Sequence, residues 1–113
     1  MLELQELLNE TNSKAVYLIN KKGEIIDSFV KSGILKDIEN ETIVFGSTIF
    51  NMSDHFFENY INSELKEIIL KSTDMFFLLI KHMGSVLCFV SDKNINVRLL
   101  ELVLQKKSEL TTN

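Results

Sequence analysis

The residues able to do chemistry in this chain are few: His55 and His82, the single cysteine Cys88, the single arginine Arg98, and Tyr17 inside an apolar run. A catalytic base needs a second group that orients it, and the acid nearest His55 in sequence is the adjacent Asp54. On a helix, neighbours in sequence point about 100° apart, whereas residues three or four apart share a face. The two are therefore read as solvated surface residues. His82 lies in Lys81-His82-Met83-Gly84, a break between two apolar runs, and is read as a turn residue. Cys88, between Leu87 and Phe89, has no second cysteine for a disulfide or a zinc site, so it is read as a buried thiol in a reducing cytoplasm. Arg98 has the chemistry of an arginine finger, but its place in a helical stretch makes it a surface residue. Gly23, Gly33, Gly46 and Gly84 match neither GxGxxG nor GxxxxGK, so no phosphate cradle is expected. No catalytic, cofactor or metal site is expected, and the chain is read as a non-enzyme.

Charge points the same way. Twelve basic residues stand against sixteen acidic ones, for a net charge of −4, with no basic block of the kind that tracks a phosphate backbone. Nucleic acid is disfavoured as a partner. The longest uncharged apolar run, Met75 to Ile80, is far short of the ~20 residues of a membrane span, and the first residues carry Glu rather than a basic signal. A soluble, untargeted cytoplasmic protein is expected. At 113 residues and 45% apolar content the chain has the size of one domain, about 100–200 residues, with a real core; 1–113 is read as that single domain. A domain this short buries only about 60–70% of its unfolded surface, which makes a partner subunit a natural supplement.

The elements that would carry these residues follow from apolar spacing. Leu2 to Asn9 has Leu4, Leu7 and Leu8 at helical spacing. Lys14 to Asn20 and Glu24 to Val30 read as strands joined at Asn20-Lys21-Lys22-Gly23. After a Ser/Gly connector, Ile38 to Ile61 reads as the longest helix, acidic at its start and ended by Asn62 and Ser63. Leu65 to Leu70 mixes helix and strand formers and is taken as a strand. Met75 to Ile80 and Ser85 to Val90 make a second hairpin, and Asn94 to Leu110 a closing helix with Lys106 and Lys107 near its end. The central strands are apolar at consecutive positions, so both faces of the sheet must be covered. The expected architecture is α/β: a three-layer α/β/α sandwich in which a five-stranded antiparallel sheet has the long helix on one face and the two terminal helices on the other.

The long helix carries two apolar stripes. Ile38, Phe45, Ile49, Met52, Phe56 and Tyr60 form one, read as facing the sheet; Ile43, Gly46, Phe50, Phe57 and Ile61 form the other, read as facing a partner. Gly46 supports that choice, because glycine inside a helix costs about 1 kcal/mol relative to alanine and needs a packing reason such as another backbone close by.

The segments Lys14 to Ile26, the helix through Phe45-Gly46-Ser47, Leu65-Lys66-Glu67-Ile68-Ile69, and Gly84 to Val90 running into Asn94 to Leu104 together resemble the roadblock/LC7 family over nearly the whole chain. The resemblance implies a homodimer or heterodimer in which the long helices pair and the third strands meet edge to edge. The dimer interface is then Ile43, Gly46, Phe50, Phe57, Ile61, Leu65, Glu67 and Ile69. It also implies a platform for a small Ras-like GTPase, which nominates Ser47, Asn51, Asp54 and Glu58 on the polar arc for GTPase binding. The chain departs from its relatives in bulky Phe45, Ile49 and Phe50 and in Asn96, where glycine is common. Two other readings compete: a small-ligand sensor of PAS or GAF type, which needs a cavity with convergent polar groups, and a purely structural self-assembly subunit.

Overall fold

The computed structural model describes residues 2–31 and 33–111; Ser32 of the connector lies outside the described residues. Helix α1 (Leu4–Thr11) turns Leu4, Leu7 and Leu8 inward and ends at Asn12 in the left-handed region, φ 55°. Strands β1 (Ala15–Ile19) and β2 (Ile25–Val30) are joined by the expected turn. There Asn20 Oδ1 accepts the N–H groups of Lys22 and Glu24, both at 2.9 Å, and Gly23 takes φ 83°, a conformation open to glycine without steric cost.

A short helix α2 (Gly33–Asp37) occupies the connector, and α3 (Glu39–Phe56) follows; Ile38, at φ −110° and ψ 21°, is the break between them. Helix α3 passes into a π-helical turn, Phe57–Ile61, and Asn62 closes it at φ 57°. The ambiguous stretch is a strand from Glu67: β3 (Glu67–Lys71) pairs with β4 (Phe76–His82), which pairs with β5 (Ser85–Ser91). The second hairpin is tighter than expected. His82 belongs to β4, and Met83 and Gly84 alone make the turn, at φ 49° and 81°, the two positive values of a type I′ turn. Helix α4 (Val97–Thr111) starts where Asn96 Oδ1 accepts the Leu99 N–H at 3.1 Å, so the asparagine serves as an N-cap.

The five strands form one antiparallel sheet in the order β2-β1-β5-β4-β3. Alternate residues of the central strands enter opposite cores, which is why those strands are apolar throughout. Val16, Leu78, Leu87 and Phe89 face α1 and α4, while Tyr17, Leu79 and Cys88 face α3. Lys107 Nζ meets Glu6 Oε2 at 2.8 Å and ties α4 to α1. The three-layer α/β/α sandwich stands as expected.

The orientation of α3 does not. Ile43, Gly46 and Phe50 are its buried residues, with Phe50 only 3% exposed, so these three members of the stripe read as facing a partner lie on the sheet, while Phe57 and Ile61, in the π turn that follows, are exposed. Both stripes are apolar, so hydrophobicity alone does not choose between them, and the choice is made by size. A Cβ on Gly46 would stand 3.3 Å from Leu79 Cδ2 and 3.6 Å from a Phe77 ring carbon; the missing side chain lets α3 settle onto its own strands rather than onto another backbone.

Candidate interaction surface

With Ile43, Gly46 and Phe50 turned inward, the opposite stripe of α3 is presented to solvent. Phe45, Met52, Phe56 and Tyr60 are exposed, Met52 at 68% and Tyr60 at 75%, with Ile49 half-buried at their margin. The rings order one another. Phe56 stacks on Tyr60 with centroids 5.6 Å apart and meets Phe57 edge-on at 5.7 Å. The π turn extends this aromatic group to Ile61, which is also exposed. At the other end Phe45 stands edge-on to Phe77 of β4 at 5.7 Å, and Phe77 is the cross-strand partner of Leu70 on β3. The apolar stripe thus descends from the helix to the margin of the sheet, and contiguous apolar surface of this kind marks a protein interface.

That margin is an open strand edge. Lys81 N–H donates to Lys66 O and Ser72 N–H to Met75 O, each at 2.9 Å. Because paired residues of an antiparallel ladder alternate between bonded and non-bonded, Ile68 and Leu70 bond to β4, while Glu67, Ile69 and Lys71 aim their N–H and C=O groups away from it. Ile69 is 44% exposed. The Glu67 carboxyl is raised above the usual carboxylate range, first by burial and then by Glu101 beside it, and its Oε2 is buried without a hydrogen-bond partner.

The nominated residues divide accordingly. Ile43, Gly46, Phe50 and Leu65 are buried within the subunit; Phe57, Ile61 and Ile69 are exposed, and Glu67 lies half-buried at the edge. The polar arc is also partly engaged. Asn51 Nδ2 donates to Lys21 O at 3.1 Å, Asp54 Oδ1 pairs with Lys81 Nζ at 3.3 Å, and half-buried Ser47 lies where a Cβ on Gly23 would come within 2.7 Å of its Oγ. Asn51 and Glu58 keep their exposure. Phe45, Met52, Phe56 and Tyr60 are grouped correctly by the helical period but lie on the side opposite to the one it suggests, and Gly46 is the signal that separates the two.

The reactive groups stay apart. His55 is exposed, with Asn59 Nδ2 3.0 Å from its Nδ1. Burial lowers the pKa of half-buried His82. Cys88 is fully buried, and that burial pushes its thiol far up, away from the reactive thiolate. Tyr17 is raised to about 12, mainly by burial and then by Glu39 and Cys88, and its hydroxyl donates to Leu35 O at 3.5 Å. Arg98 is exposed on α4, in the layer opposite α3. Among the described residues no group of His, Cys, Asp and Glu is placed to hold a metal, and no helix is long and apolar enough to cross a membrane.

No family model and no curated protein matches the sequence. The fold has clear counterparts. MglB of Myxococcus xanthus superposes with a TM-score of 0.72 at 18% identity, over 92% of this chain and 84% of its own. Gliding protein mglB of Thermus thermophilus gives 0.71 at 17%, over 94% and 80%. A roadblock/LC7 domain of Streptomyces avermitilis gives 0.69 at 6%, over 93% of each chain. At such identities the likeness lies in the arrangement of helices and strands, and in that arrangement the chain has the roadblock/LC7 fold.

Proposed function

We propose that the protein is a non-catalytic dimeric platform that binds and regulates a small Ras-like GTPase across its paired α3 helices. The observation that carries this reading is the exposed stripe from Phe45 to Tyr60, continuous with the unpaired edge of β3. A second copy of the chain covers both at once, joining α3 to α3 and β3 to β3. The contact uses Phe45, Met52, Phe56, Tyr60, Phe57, Ile61 and the β3 edge at Glu67 and Ile69. The roadblock/LC7 fold supports the same arrangement, in which chain 1–113 works as one domain.

The GTPase docks beside the helix seam, against Ser47, Asn51, Asp54 and Glu58. This flank is polar and acidic, so a partly basic GTPase surface fits it, and association slows as salt screens the charges. Arg98 lies on the far layer, so any stimulation of hydrolysis works through the GTPase's own residues. The buried, reduced thiol fits a cytoplasmic protein.

The experiment is binding to small GTPases of the same organism, loaded with GDP or GTP, followed by single-turnover hydrolysis. Binding in either state supports the platform. A stable dimer that binds none of them leaves the structural self-assembly subunit. A tenfold loss of stimulation in Arg98→Ala, about 1.4 kcal/mol, would overturn the proposed mechanism and keep the platform.

A further inference from the structure

We propose that two copies of β3 pair in a single register, with Ile69 on the two-fold axis and Glu67 of each copy directly opposite Lys71 of the other. This rests on the dimer reading above and adds to it the residues that fix the fit.

The outward N–H and C=O groups belong to Glu67, Ile69 and Lys71, so an antiparallel second copy bonds through these positions. A two-fold axis perpendicular to the sheet keeps each face on its own side, so odd-numbered residues meet odd and even meet even. The registers this allows differ sharply in what they bring together. With the axis at Glu67, two carboxylates already crowded by Glu101 oppose each other, and Ile68 faces Lys66. With the axis at Ile68, Glu67 opposes Ile69 and Leu70 opposes Lys66. With the axis at Leu70, Glu67 opposes Thr73 and Ile68 opposes Ser72. With the axis at Lys71, two lysines oppose each other and Leu70 opposes Ser72. Only with the axis at Ile69 are both faces matched.

On the α3 side that register sets Ile68 against Leu70, beneath the Phe45 and Phe77 rings, and so continues the apolar stripe across the seam. On the α4 side Ile69 meets Ile69, flanked by a Glu67 and Lys71 pair at each end. The charge match answers a crowding of acids in the single subunit. The Glu67 carboxyl is hydrogen-bonded to Glu101, with Lys66 as its nearby cation, and its Oε2 is buried without a hydrogen-bond partner, while Lys71 is exposed on the same face, its Nζ 5.7 Å from the centre of the Phe76 ring. Each subunit thus holds two crowded acids and, at the other end of β3, an exposed cation. Opposite charges facing each other across a strand pair are stabilising and like charges destabilising.

Cysteine scanning reads the register directly. Residues facing each other in a bonded pair have Cα atoms about 5.5 Å apart, inside the disulfide range of about 4.4–6.8 Å. The native Cys88 is buried and stays silent. Under mild oxidation, Ile69→Cys is expected to crosslink to itself, whereas Glu67→Cys and Lys71→Cys crosslink only when mixed. Glu67→Lys and Lys71→Glu should each weaken self-association about tenfold through two like-charge contacts, and an equimolar mixture should form the heterodimer, read by native mass spectrometry. Self-crosslinking of Glu67→Cys, or no preference for the heterodimer, overturns the register while a dimeric wild type keeps the dimer on which the platform rests. A wild type that is monomeric by light scattering overturns both.

Discussion

The two edges of the sheet are built to opposite ends. At β2 the ladder is interrupted by a bulge between Leu18 and Ile19, and α1 and α2 both pack against the strand. The register with β1 leaves Ser28 facing outward, and its N–H is taken by Asp27 Oδ1 at 2.8 Å. These are the devices by which natural sheets keep an edge from recruiting another strand. At β3 the register with β4 is unbroken, and the outward positions run acid, isoleucine, lysine. The lesson is that an open edge in this fold is a local choice of residues, since the same sheet shows how it would be closed.

The largest effect belongs to a residue that controls neither edge. Phe50→Asp places a carboxylate under α3 and should unfold the subunit, since loss of a buried Phe alone costs about 3–5 kcal/mol. A cooperative thermal melt with the wild-type midpoint would contradict the assigned face of α3. Next is the edge itself. Ile69→Pro removes an outward N–H while leaving the ladder to β4 intact, so the product should be a folded monomer in light scattering; Ser28→Pro on β2, also outward, should leave the dimer unchanged. If the two prolines act alike, the contrast between the edges is wrong.

A smaller effect is expected on uncapping β2. Asp27→Ala frees the Ser28 N–H and should cost about 0.5–1.5 kcal/mol in denaturant melts, with larger assemblies appearing by sedimentation as concentration rises. The smallest concerns pH. The folded subunit raises the Glu67 pKa, so it holds this proton more tightly than the unfolded chain, and stability falls as pH rises through the carboxylate range towards the raised value. In the monomeric Ile69→Pro background, Glu67→Gln should flatten that slope. A slope that stays steep would place its origin in another carboxyl group.

Much of the fold was legible because local signals agreed. The Asn20 to Gly23 turn and the unbroken apolar runs of β1, β4 and β5 place the sheet and require cover on both faces. The interaction surface was only half legible. The helical period isolated both stripes of α3, but two apolar stripes give no direction, and the inward side was set by the contact of Gly46 with Leu79 and Phe77, residues thirty-odd positions away. Helix α2 was missed for a similar reason: at Gly33–Asp37 it is too short for a period, and Leu35 is held by the core rather than by its neighbours in sequence.

The contact between Gly23 and Ser47, with the bond from Asn51 to the Lys21 carbonyl, joins the β1–β2 turn to the middle of α3. The turn and the helix brace each other. A partner seated on the polar flank of the helix would stand next to the tip of the first hairpin, where the Lys22 side chain is exposed. An environment-sensitive dye attached there watches the flank without standing on it, and the same linkage leaves this loop no slack for an inserted residue.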